Sequence, residues 1–130
     1  MYKTTLSYIP VRATDSDSAE MVTQLLWGEP YELIQKTEKW VYIKSLNDQY
    51  HGWIDMGQHI LAEPITEIDK NLSVVVQAGY AETSLGLTHF SIGSAVNKQV
   101  INPIKNSNLI LAEPSVEPEK LLSIAQQFIN

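Results

Sequence analysis

Short apolar runs alternate with turn-forming residues along the first half of the chain, the spacing of a small all-β barrel or sandwich. The pattern predicts strands at 8–12, 21–27, 31–36, 40–45 and 52–55. In Trp40-Val41-Tyr42-Ile43-Lys44 both alternating sets carry large side chains. One set is therefore expected to pack the core while Tyr42 lies under a loop. Thr14-Asp15-Ser16-Asp17-Ser18 is a polar turn cluster, read as a long exposed loop between the first two strands.

A second run of possible strands follows at 72–77, 78–83, 89–92, 99–104 and 108–111, punctuated by Gly79, Gly86, Gly93 and Pro103. Ile60-Leu61-Ala62-Glu63-Pro64 is echoed by Ile110-Leu111-Ala112-Glu113-Pro114. Each copy stands where a β-rich block gives way to a polar, proline-containing stretch, so both are read as module ends. An echo of this length also arises by chance. The resulting division is a module at 1–60, a second, diverged barrel at 65–112 and a helix at 117–130. In that last segment Leu121, Leu122, Ala125, Phe128 and Ile129 fall at helical spacing behind Pro118, and the apolar face they form would need a covering partner.

Composition narrows the function classes. The chain is 44% hydrophobic and 18% charged, well away from the composition of disordered segments. A net charge of -6 with no Lys/Arg cluster argues against a nucleic-acid partner. No stretch approaches the length needed to span a bilayer, and no membrane partner is expected. Met1-Tyr2-Lys3-Thr4-Thr5-Leu6-Ser7-Tyr8 lacks the pattern of a secretory signal. A cytoplasmic location is the expectation, or a periplasmic one if a signal peptide has been removed.

The chain has no cysteine, which removes disulfides, thiolate catalysis and zinc-thiolate sites together. His51, His59 and His89 share no metal-ligand spacing, and Asp15 and Asp17 lack the rest of a calcium loop. No metal or other cofactor is expected. Ser84, Ser91 and Ser94 lack the Gly-x-Ser-x-Gly elbow of a nucleophile, so this chain is not expected to be an enzyme by itself. Trp27, Trp40 and Trp53 could line an aromatic groove for an extended peptide. Aromatic residues on barrel strands more often fill the core, so Trp40 and Trp53 are expected to be structural. Trp27, on the turn beside Gly28, is expected to be exposed and to contact ligand.

The ordered set Tyr8-Ile9-Pro10-Val11-Arg12-Ala13, Ser18-Ala19-Glu20-Met21-Val22-Thr23-Gln24-Leu25-Leu26-Trp27-Gly28-Glu29, Trp40-Val41-Tyr42-Ile43 and Tyr50-His51-Gly52-Trp53-Ile54 resembles the N-terminal bacterial SH3 domain of NlpC/P60 cysteine peptidases. The likeness covers about the first 60 residues well and the middle of the chain poorly. The segment from Leu121 to Asn130 resembles the helix that opens the peptidase domain, with the catalytic cysteine and histidine expected beyond it.

The resemblance implies an SH3-like barrel over the first 60 residues, and the strand pattern after it is read as a second, diverged SH3-like module. It implies the targeting half of a γ-D-glutamyl-L-diamino acid endopeptidase that works with a C-terminal NlpC/P60 domain. The implied ligand is a murein peptide, L-Ala-γ-D-Glu-diamino acid, or intact peptidoglycan. The family residues that bind the free amine of its L-alanine correspond to Glu20 and Tyr50. A carboxylate can pair with an ammonium while a phenol adds a hydrogen bond. The alternative is a stand-alone SH3-like module: one that binds peptidoglycan would be marked by affinity for sacculi without a peptidase domain, and one that binds protein peptides by Trp27 and Tyr50 exposed side by side.

Overall fold

The computed structural model describes residues 1–69, 72–97, 101–103 and 107–112. The chain divides into two compact units, Met1–Ile68 and Asp69–Asn130.

In the first unit the strands are β1 (Tyr2–Lys3), β2 (Tyr8–Arg12), β3 (Met21–Leu26), β4 (Pro30–Lys36), β5 (Trp40–Ser45), β6 (His51–Asp55) and β7 (Glu63–Pro64), with a single helical turn, α1 (Met56–His59), after β6. They form one antiparallel ladder in the order β3-β2-β6-β5-β4-β1-β7, whose ends do not pair with each other. The class is the expected all-β one. The alternation within β5 sets the layering: Val41, Ile43 and Ser45 point inward and are buried, while Trp40, Tyr42 and Lys44 are half-buried on the other face. On β6, Gly52 and Ile54 take the inner side, and His51, Trp53 and Asp55 the outer. Ile9, Val11, Leu25, Tyr31, Val41, Ile43 and Ile54 make the core, each fully buried.

Two tryptophan expectations are reversed. Trp40 and Trp53 stand outside that core, half-buried on the outer face, because β5 and β6 fill their inner positions with smaller aliphatic residues. Trp27 is only 8% exposed. Its turn, closed by Glu29 N–H donating to Leu26 O (3.1 Å), is pinned beneath the N-terminal segment: Gly28 N–H donates to Thr4 O (2.9 Å) and Thr4 N–H to Glu29 O (3.2 Å). Gly28 takes φ 79°, a left-handed conformation that favours glycine. The expected loop cover of Tyr42 is likewise corrected: its neighbour is Trp53, directly opposite on β6, with ring centroids 5.0 Å apart.

Gly52 lets β6 come close to β2. A Cβ there would lie 2.5 Å from Val11 Cγ1 and 2.8 Å from Arg12 O, below any tolerable contact. The sheet's far end is closed by a polar-aromatic cluster. The Tyr31 hydroxyl and His59 Nδ1 are 2.7 Å apart, and the Tyr2 ring stacks on Tyr31 at 5.8 Å and meets His59 edge-on at 4.7 Å. Burial, with the neighbouring Tyr2 adding to it, raises the Tyr31 phenol well above its ordinary range. Burial also lowers His59, helped by the Lys36 charge. Both shifts keep the pair uncharged, so a neutral imidazole and a neutral phenol share this hydrogen bond, its direction set by the His59 tautomer.

In the second unit β8 (Ser73–Gln77) pairs with β11 (Ala95–Val96) and β13 (Ile110–Ala112), and β9 (Gly79–Thr83) with β10 (Gly86–Phe90) and β12 (Asn102–Pro103). Val75, Val76, Ala81, Phe90, Val96, Ile101 and Ala112 are its buried apolar residues. The two echo segments adopt different structures. Ile60 and Leu61 form an exposed turn before β7, whereas Ile110–Ala112 is strand. The helix expected at 117–130 lies outside the described residues, as does part of the strand expected at 99–104.

Candidate functional site

The outer face of the first unit carries three cross-strand pairs in a row: Trp40 opposite Asp55, Tyr42 opposite Trp53, and Lys44 opposite His51. Residues paired this way sit with Cβ atoms roughly 4.5–5.5 Å apart, so they form one continuous surface. Tyr42 bridges the aromatic members, 5.0 Å from Trp53 and 6.0 Å from His51, the latter nearly parallel at 28°. These large apolar surfaces were legible as residue types. Their face was not, because period-2 alternation groups residues without saying which group meets the core.

At one end of this row is a cleft of about 340 Å³ lined by Pro10, Arg12, Asp17, Trp40, Asp55 and Gln58. Its origin is in the ladder. β2 pairs with β6 only at Arg12↔Trp53, and Pro10, two residues back, has no N–H to continue the pairing. The strands part there, and Pro10 and Asp55 become walls of the opening. The loop between β2 and β3 supplies Asp17. It is held by Ala13 N–H donating to Glu20 O (2.8 Å) and by Arg12 Nη1 donating to Ala19 O (3.0 Å). Gln58 comes from α1, whose start is capped by Asp55 Oδ1 accepting from Gly57 N–H at 2.7 Å.

Glu20 is exposed just before β3, where its backbone carbonyl accepts from Ala13 N–H. Tyr50 is 56% exposed in the loop between β5 and β6, next to His51 and thus past the opposite end of the aromatic row. That loop is tightly tied: Asp48 Oδ1 accepts from Tyr50 N–H (3.0 Å), Asp48 Oδ2 accepts from Thr23 Oγ1 (3.2 Å), and Leu46 N–H donates to Pro30 O (3.1 Å). Gln49 adopts φ 65°, a left-handed backbone uncommon for a side-chain-bearing residue. Its Nε2 donates to Leu46 O at 2.9 Å. Among the described residues, no hydrogen bond, ion pair or ring contact joins Glu20 to Tyr50. Trp27, buried, does not stand beside Tyr50 as an exposed pair.

Behind this loop the Glu29 carboxyl is pushed up to about 7, first by burial and further by the Asp48 charge, against a backbone hydrogen bond from Leu26 that lowers it. The three histidines are apart in role: His51 is on the outer face, His59 is paired with Tyr31, and His89 packs edge-on to Tyr80 at 5.1 Å. Among the described residues no group of three His, Cys, Asp or Glu side chains could hold a metal ion, and no helix is long and apolar enough to cross a membrane.

Residues 11–58 match the family described as the bacterial dipeptidyl-peptidase SH3 domain. The first unit is thus SH3-like, and the match contains Glu20, Tyr50 and all but Pro10 of the cleft lining. No curated protein and no solved structure matches the chain.

Proposed function

We propose that the first unit is a recognition module for bacterial cell-wall peptides and that it serves an endopeptidase domain of the NlpC/P60 type. An SH3-like domain of bacterial kind supports a binding or targeting role in general. The observation that carries the finer reading is the outer face itself: a row of half-buried aromatic side chains with a charged cleft at one end and the exposed Tyr50 past the other, in a unit that also exposes Glu20. Extended peptides bind such surfaces by laying backbone over aromatic rings while charged termini find partners at the edges. In this reading Glu20 pairs with the free ammonium of the L-alanine, Tyr50 adds a hydroxyl contact to the same amine, and the rest of the peptide lies along the aromatic row. Hydrolysis belongs to the partner domain. Trp27 makes no direct contact with the peptide in this reading, since its ring is buried.

Calorimetric titration with L-Ala-γ-D-Glu-meso-diaminopimelate tests the proposal. The peptide is expected to bind weakly, to lose affinity when N-acetylated, and to lose it comparably against Glu20→Gln or Tyr50→Phe. Equal binding of the acetylated and free peptides would overturn the assigned amine contact. Binding to intact sacculi but not to the peptide would favour the stand-alone tether.

A further inference from the structure

The second unit leaves one strand edge open. Among the described strands, β10 stands at the end of the order β10-β9-β12. Its register on β9 is Gly86↔Thr83, Leu87↔Glu82, Thr88↔Ala81, His89↔Tyr80 and Phe90↔Gly79. Antiparallel pairs alternate between those that exchange backbone hydrogen bonds and those that do not. Tyr80 N–H donates to Ser107 Oγ at 3.0 Å, so Tyr80 and His89 are a pair of the second kind. The alternation then turns the backbone groups of Gly86, Thr88 and Phe90 towards β9. Leu87 and His89 direct their N–H and C=O groups to the free edge, where no hydrogen bond reaches them among the described residues.

The side chains leave the same edge unguarded. Sheets commonly blunt an exposed edge with proline or charge. The first unit's β7 does so with Pro64 and with Glu63, which pairs with Lys3 at 3.4 Å, and β12 carries Pro103. β10, Gly86-Leu87-Thr88-His89-Phe90, has no proline, lysine or carboxylate, and Leu87 is 67% exposed. In a chain of net charge -6, this edge can meet its own copy without bringing carboxylates together, since Glu82 lies one strand back, opposite Leu87.

We propose that β10 is a self-association edge, at which two copies of this chain pair antiparallel about a two-fold axis through Thr88. In that register Leu87 of each copy stands opposite His89 of the other. All four residues have outward backbone groups, so the two equivalent pairs supply four hydrogen bonds without leaving the strand. The two exposed Leu87 side chains become diagonal neighbours across the axis, within reach of each other. One short strand from each copy puts the contact at the small end of protein interfaces, so the dimer is weak. This surface belongs to the second unit and is independent of the peptide site proposed for the first.

The test is sedimentation equilibrium of the full chain from low-micromolar to millimolar concentration, with amide exchange followed by NMR over the same range. Monomer is expected to pass into dimer, with exchange slowing severalfold at Leu87 and His89 and changing little at Thr88, whose N–H already faces β9. A mixture of labelled and unlabelled chains should show an Hα–Hα contact between the two Thr88 residues. Leu87→Lys places charge at an exposed position and should abolish the dimer while leaving the melting of the dilute protein unchanged. His89→Pro removes an outward N–H without touching a bond to β9 and should abolish it too. A chain that stays monomeric at millimolar concentration would overturn the proposal. So would a Leu87→Lys dimer as tight as the parent's, or a dimer in which Leu87 and His89 exchange as they do in the monomer.

Discussion

Replacing Gly52 by alanine adds one methyl group where β6 lies hard against β2. The new Cβ would stand 2.5 Å from Val11 Cγ1, 2.8 Å from Arg12 O and 3.3 Å from Val22 Cγ2. Val11 is fully buried in the core and Arg12 O is backbone, so neither neighbour can swing away as a surface side chain would. Relief requires β2 and β6 to separate. Overpacking of this kind costs about 1–3 kcal/mol, and contact with main chain puts Gly52→Ala at the upper end. A domain of this size loses about 4–8 °C of Tm per kcal/mol, so the expected fall is roughly 10–20 °C. The assay is thermal unfolding followed by circular dichroism and tryptophan fluorescence. Gly57→Ala is the control, since its Cβ meets only the Asp55 Oδ1 side-chain atom and should move Tm by a few degrees at most. Arg12 and Trp53 are the single pair joining the two strands, so peptide affinity should fall with Gly52→Ala as well. A Gly52→Ala protein melting within 2 °C of the parent would refute the account of how β2 and β6 are held.

Further outcomes follow from the buried polar groups. Glu29 stays protonated in the fold up to about 7 but has a value of 4.5 when unperturbed, so the folded state holds the extra proton between those values. Its contribution is fully present below pH 4.5 and is lost as pH rises through 7; the whole shift corresponds to about 3 kcal/mol, reduced by solvent screening to the order of 1–2 kcal/mol. Glu29→Gln should abolish that slope in urea titrations across pH 4.5–7, and a slope unchanged in the variant would refute the assignment. The lowered His59 works in the opposite sense: the unfolded chain takes up its proton first, so stability is lost as pH falls below 6.5. Tyr31→Phe leaves the buried His59 Nδ1 without its hydrogen-bond partner and should cost about 1–3 kcal/mol in urea unfolding, while a neutral variant would show the bond to be dispensable. Ser45 Oγ is buried without a hydrogen-bond partner, so Ser45→Ala should be neutral or stabilising by up to about 1 kcal/mol; a clear loss of stability would contradict that.

Much of the first unit is legible in its sequence where local pattern and tertiary role agree. The expected strands at 8–12 and 40–45 coincide with β2 and β5, and those at 21–27, 31–36 and 52–55 differ from β3, β4 and β6 by one residue. The elements that escape local reading are held by distant partners. β1 is two residues long and exists because Tyr2 pairs with both Tyr31 and Pro64, contacts with no periodic trace near Tyr2. Trp27 shows the same limit from the other side: its turn residues signal exposure, but Thr4 folds back over the turn. The Ile-Leu-Ala-Glu-Pro echo illustrates context overriding propensity, since Ile60 and Leu61 form a turn whereas Ile110–Ala112 is strand against β8. At the site, Glu20 and Tyr50 came to notice through family resemblance. The cleft at the Trp40–Asp55 end of the outer face had a readable clue in Pro10, a residue that interrupts pairing within a strand, but its lining residues Arg12, Asp17, Trp40 and Asp55 are brought together only by the tertiary fold.

The most direct test of the central claim is an amide chemical-shift map of the isotopically labelled full chain on adding L-Ala-γ-D-Glu-meso-diaminopimelate. The account predicts shifts confined to the first unit, at Glu20 and Tyr50 and along the outer-face residues Tyr42 and Trp53. Shifts confined to residues 69–112, or no shifts at millimolar peptide, would contradict it.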